Sequence, residues 1–216
     1  MSLQFAAGVA QERETPQSWL LAKRAIDVVL GSLFLLLASP VIAIASIAIV
    51  LIDGGAPFYA QERVGMGGRR FKMYKLRTMV EGAHDMRDGI EHLNEADGPV
   101  FKIRNDPRCH PVGRILRKTS IDELPNFLNV LRGDISLVGP RPALPSEVEN
   151  YEPYARRRLL VPQGITCLWQ ISGRSALTFS QWMELDNRYV DEWTPLGDLA
   201  IIAKTVPAVL RRDGAR

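Results

Sequence analysis

The chain carries 25 consecutive uncharged residues, 28–52, most of them apolar, between a polar lead and a polar remainder. A helix of that length reaches about 37 Å, enough to cross a hydrocarbon core of roughly 30 Å. Ser39-Pro40 stands at its middle, where proline removes a backbone donor and clashes with the preceding turn. A sharp bend there leaves halves of about 12 residues, each too short to cross alone. Lys23 and Arg24 precede the run and a cationic block from Arg63 follows it, so both flanks favour one side of a membrane. The pattern predicts a re-entrant helix-break-helix hairpin over 23–53, with a single span as the alternative. Ser39 or neighbouring protein must satisfy the backbone groups freed at the bend, because lipid offers none. The polar lead, 1–22, places the apolar run too late for a cleaved signal.

Beyond Asp53-Gly54-Gly55-Ala56-Pro57 the period changes. Phe58 to Gln61 and Phe71 to Arg77 read as strands joined by a Gly65-Met66-Gly67-Gly68 turn. Residues 81–95 are polar and helix-compatible up to Asp97-Gly98-Pro99. Leu124, Phe127, Leu128 and Leu131 follow helical spacing to Gly133. Pro140, Pro142 and Pro145 impose an extended connection, and further helices are predicted over 147–160, 179–192 and 196–210. In the last, Leu199, Ile202, Val206 and Leu210 suit either the protein's own core or a membrane surface. The fold class is α-dominated α+β: a lead (1–22), the hairpin (23–53) and a catalytic domain (54–216).

Composition changes this picture little. Two separated cysteines, Cys109 and Cys167, support neither a disulfide framework nor a zinc cage, and His84, His92 and His110 lack ligand spacing. Net charge is +3, but basic residues concentrate at 63–77 and 102–118. Such blocks suit phosphorylated substrates, anionic lipid or nucleic acid, or are solvated faces.

Asp122 and Glu123 stand out because they follow cations and open a helix. Ser120-Ile121-Asp122-Glu123 also spells a capping box, with both acids merely complementing the helix dipole. Pro125 argues for a start at or after Asp122, which places both carboxylates at the mouth of the helix. Neighbouring helical residues diverge by roughly 100°, which suits one nucleophile and one base, or two exposed acids without chemistry.

The chain resembles the bacterial sugar transferases, monotopic phosphoglycosyl transferases acting on polyprenyl phosphate. The resemblance rests on Lys23-Arg24-Ala25-Ile26-Asp27 before the proline-broken run, Lys75-Leu76-Arg77-Thr78-Met79, Arg117 through Pro125, Ser136 through Pro142, and Gly164 through Gln170. It implies transfer of a sugar 1-phosphate from a UDP-sugar to undecaprenyl or another polyprenyl phosphate, with UMP released, as the first membrane step of exopolysaccharide, capsule or O-antigen synthesis. Carried over, Asp122 is the nucleophile and a magnesium ligand, and Glu123 a base or positioning group. Lys75, Arg77, Arg117 and Arg141 are the phosphate contacts, and Arg174 a nucleotide contact or a fold-supporting ion pair. The resemblance further implies a Mg2+ cofactor and the bilayer as partner, at the cytoplasmic face of the inner membrane. It involves no nucleic acid, leaves a homodimer open, and matches the catalytic unit without the extra N-terminal helices of longer relatives. Asn126, Leu76 and Cys167 depart from the usual Gln, aromatic and Gly. The competing reading is a non-catalytic adaptor whose basic face binds anionic lipid or nucleic acid.

Overall fold

The computed structural model describes residues 15–101, 103–173 and 177–210. The apolar run forms one helix, α1 (Gln17–Asp53), which continues through Pro40 where two helices were expected. The reason is local. Pro40 leaves the Leu36 carbonyl without its usual N–H partner, and the Ser39 hydroxyl donates to that carbonyl at 2.8 Å, as the polar accounting required.

Two faces of α1 dock on the same body. In its first half, Asp27 accepts from the Ser136 hydroxyl (2.9 Å) and the Leu137 N–H (2.8 Å), while Gly31 leaves room for Val130 and Leu131. Lys23, expected as a flanking charge, is buried instead. Its ammonium donates to Asp198 at 2.6 Å, to the Val138 carbonyl at 2.8 Å and to the Tyr189 hydroxyl at 3.2 Å. Arg24 donates to the Val130 and Leu131 carbonyls, both at 2.7 Å. In the second half, Ala45 and Ile49 pack with Leu76 and Leu116. Leu36, Leu37, Ile44, Ile47 and Leu51 remain exposed, giving the helix an apolar outer face.

Strands β1 (Phe58–Val64) and β2 (Arg70–Leu76) form the expected antiparallel hairpin, with Tyr59 opposite Lys75 and Arg63 opposite Phe71. Gly67 and Gly68 turn it with φ of 65° and 82°, a region open to glycine. Residues 81–95 contain turns and a 3-10 segment, Asp88–Leu93, in place of the expected helix. Gly82 at φ 72° and the lack of an apolar stripe explain why no α-helix forms there.

Helices α2 (Pro111–Thr119) and α3 (Asn126–Arg132) follow, then β3 (Ser136–Val138), α4 (Pro145–Glu149), α5 (Pro153–Arg156), β4 (Gly164–Thr166), α6 (Leu168–Ile171), α7 (Phe179–Glu192) and α8 (Pro195–Leu210). The single helix expected over 147–160 is split, because Pro153 opens a new helix and a 3-10 turn, Arg157–Leu160, succeeds it. Strand β4 pairs in parallel with β3. The main core joins Phe71, Met73, Val130, Leu137, Val138, Tyr189, Trp193 and Ile201, covered by Trp19, Ile26, Leu30 and Phe34 of α1. Ile201 of α8 is buried there, whereas Leu199 and Val206 are exposed, so the helix buries one stripe and leaves apolar residues outside.

Candidate active site

Helix α2 ends in a left-handed residue, Ser120 (φ 58°, ψ 18°), whose N–H returns to the Arg117 and Leu116 carbonyls. Its side chain caps nothing, so the expected capping box is absent: Ser120 closes one helix and cannot adopt the extended conformation that an N-cap needs. Ile121–Glu123 form a 3-10 turn, and Pro125 lies just ahead of α3, where its missing N–H breaks no bond. Asp122 and Glu123 are thus placed on a tight turn before the helix.

Their surroundings differ. Glu123 is clamped by Arg141, with Nη2 at 2.5 Å from Oε1 and Nη1 at 3.2 Å from Oε2, and by Lys75 at 2.8 Å. These cations hold its carboxyl well below the usual range despite burial. Asp122 makes no hydrogen bond or ion pair among the described residues. Burial first, and then the Glu123 charge, push its carboxyl up to about 6. Burial pushes the Lys75 ammonium down, while Glu123 holds the Arg141 guanidinium above its ordinary value.

The remaining cations divide. The Arg117 guanidinium lies 2.9 Å from the Cys109 sulfur and 3.8 Å from Asp106, which is itself paired with Arg108 at 2.7 Å. Arg117 acts electrostatically on Asp122. Arg77 goes elsewhere. It pairs with Asp53 at 3.2 Å and donates to the Gly54 carbonyl, fastening the end of α1 to β2, so the group expected on substrate phosphate is engaged in an anchor contact. Arg174 lies outside the described residues. Ser39 and Pro40 belong to α1 and do not line the dyad's cleft.

Sequence reasoning missed two supports. Arg158 is buried, donates to the Arg141 carbonyl at 2.9 Å and to the Tyr151 hydroxyl at 2.8 Å, and pairs with Asp186 at 2.8 Å. His110 accepts from the Gly113 N–H at Nδ1 (3.0 Å), so its Nε2 carries the proton and donates to the Arg77 carbonyl, also at 3.0 Å. The sequence signal for that cap was slight: a histidine directly before Pro111, the first helical residue.

Asp122, Glu123, Lys75, Arg77, Arg117 and Arg141 line one cleft of 1110 Å³. No cluster of three or more His, Cys, Asp or Glu side chains suited to a metal occurs among the described residues. Asp122 can offer one oxygen ligand. That fits magnesium, which takes one or two carboxylates and completes its shell with substrate phosphates and water.

An apolar helix long enough to cross a membrane is fastened beside a cleft lined by cations and a pair of carboxylates. The chain belongs to the bacterial sugar transferase family, whose sequence profile matches residues 18–212. It is 43% identical over 200 residues to the galactosyl transferase CpsE of Streptococcus agalactiae serotype III (strain NEM316), covering 92% of this chain and 44% of that one. It is 40% identical over 199 residues to the exopolysaccharide production protein ExoY of Rhizobium meliloti (strain 1021), covering 90% and 88%. The UDP-glucose:undecaprenyl-phosphate glucose-1-phosphate transferase of Caulobacter vibrioides (strain ATCC 19089 / CIP 103742 / CB 15) is 40% identical over 206 residues, covering 90% and 72%. The chain therefore spans less than half of the streptococcal relative and most of the other two.

Proposed function

We propose that this protein transfers a hexose 1-phosphate from a UDP-sugar to a polyprenyl phosphate in surface polysaccharide synthesis, through a phosphosugar held on Asp122. The unlike environments of two adjacent carboxylates carry the reading: one is clamped as an anion, and the other is left without a partner in the cleft. A carboxylate oxygen of Asp122 attacks the β-phosphorus, and the bond to the bridging oxygen breaks with its electron pair leaving on UMP. An oxygen of the lipid phosphate then attacks the same phosphorus, and the carboxylate departs.

Glu123, doubly held and strongly acidic, is a poor base; it orients Arg141 and Lys75 toward the transferring phosphoryl group. Arg117 and Arg141 offset the repulsion between the Asp122 carboxylate and the diphosphate. A magnesium ion held by Asp122 and the donor phosphates would supply further charge neutralisation. Relatives named as galactosyl and glucose-1-phosphate transferases favour galactose or glucose as the sugar.

Incubation with a panel of UDP-sugars, magnesium and polyprenyl phosphate should release UMP with one of them; no release across the panel would favour the adaptor. Attack requires ionised Asp122; without magnesium its carboxyl should titrate at about 6, followed by NMR, and magnesium should draw it down. A metal-free titration centred near 4, the ordinary carboxylate position, would contradict the role given to burial.

The anchor reading is re-entrant, with the body on the cytoplasmic face of the inner membrane; since α1 runs unbroken through Pro40, the change of direction would come from a kink at Ser39-Pro40 rather than from two separate helices. Its support is that residues near both ends of α1, Lys23 and Asp53, bind the same body while its exposed middle is apolar. Single cysteines placed at Ala22 and Ala56 in sealed vesicles should react with an impermeant reagent from the same side. Labelling from opposite sides would establish a span.

A further inference from the structure

Arg63 stands in the same cleft but has no part in the scheme above. Tyr59, Gln61 and Arg63 alternate on one face of β1, and Tyr59 lies opposite Lys75, so Arg63 and Lys75 share a face of the hairpin. The Arg63 guanidinium donates to the Gln61 side-chain oxygen from Nε (3.1 Å) and Nη2 (2.6 Å), and to the Pro142 carbonyl from Nη1 (3.0 Å). All these acceptors are neutral, and one N–H remains on each terminal nitrogen. Arg77, Arg108, Arg141 and Arg158 each face a carboxylate, from Asp53, Asp106, Glu123 and Asp186 respectively. None lies within 4.0 Å of Arg63 among the described residues. Desolvation and the charge of nearby Arg141 lower its guanidinium to about 10, offset in part by the more distant charges of Glu147 and Glu123, neither of which pairs with it. A cation held in a cleft by neutral groups, with two donors left over, is prepared for an anion.

We propose that Arg63 is a phosphoryl-anion contact, gripping an oxygen of the donor diphosphate or of the lipid phosphate. The assignment deepens the transferase reading and rests on it for the identity of the two sources. Arg63→Gln removes the charge yet keeps an amide donor for Pro142, whereas Arg63→Lys keeps the charge and loses the fork.

The test uses the full chain in detergent, titrated with UDP and with inorganic pyrophosphate, together with KM for donor and acceptor. Loss of a charge-assisted contact should weaken binding roughly ten- to a hundredfold in Arg63→Gln, with partial recovery in Arg63→Lys and unchanged thermal unfolding. Weaker UDP binding with a raised donor KM marks the nucleotide as the source; a raised acceptor KM with UDP binding intact marks the lipid. If Arg63→Gln does not fold, Gln61→Glu gives the fork an internal anion and should weaken binding likewise. Unchanged affinities and KM values would overturn the proposal. So would an equal loss of kcat and thermal stability in both Arg63 variants at constant KM, which a mere brace for Pro142 would produce. A wild-type chain that binds pyrophosphate through Arg63 yet turns over no UDP-sugar would keep this site and refute the reaction.

Discussion

Asp122→Asn should lower turnover by about 10^3-fold or more while leaving the protein folded and membrane-bound. An amide of the same shape cannot attack phosphorus, and no other carboxylate at the turn is free, since Glu123 is held on both oxygens. Folding should not suffer, because Asp122 has no bonding partner to lose among the described residues. Its carboxyl is pushed up to about 6, so at neutral pH the fold disfavours the charge that asparagine removes. The unfolding temperature should therefore stay level or rise slightly. Incubation of the wild type with donor alone should leave a phosphosugar on Asp122, visible by mass spectrometry and absent in the variant. Retained turnover in Asp122→Asn would end the covalent scheme, and a lower unfolding temperature would mean that the carboxylate has a structural duty.

Lys23→Met should be the most destabilising of the substitutions considered. Lys23 and Asp198 are 5% and 2% exposed, and removing one partner of so buried a pair costs about 3 kcal/mol. The low end of the usual range applies because Asp198 keeps the Tyr189 hydroxyl (2.8 Å) and the Trp193 N–H (3.0 Å). For a chain of this size the loss corresponds to a melting point lower by about 6–12 °C. Adding Asp198→Asn should restore part of the stability by removing the stranded charge. A single variant within 2 °C of wild type, or a double variant no better than the single, would show that the pair is not a clamp.

The legibility of the chain followed the range of the forces involved. The glycine turn and alternating residues marked the β1–β2 hairpin because both signals are local. Pro125 likewise argued for a helix start at or after Asp122, and the helix opens at Asn126. Ser120 misled because its S-x-x-E pattern does not reveal that the preceding helix ends there in a left-handed residue. The cations were recognisable as a set, but their targets were not: Arg77 closes a basic block and Arg141 stands among prolines, and tertiary contact alone gives one Asp53 and the other Glu123. Lys23 read as a flanking charge because Asp198, its partner, lies 175 positions away. The family resemblance supplied the chemistry expected of Asp122; the unequal settings of the two acids came from three-dimensional placement.

Near the end of strand β2 Lys75 holds Glu123, and two positions later Arg77 grips Asp53 and Gly54. About 7 Å of extended backbone thus separates the contact that fastens the end of α1 from the contact that holds the carboxylate pair. One short stretch of backbone, from Lys75 to Arg77, therefore ties the position of α1's end to that of Glu123.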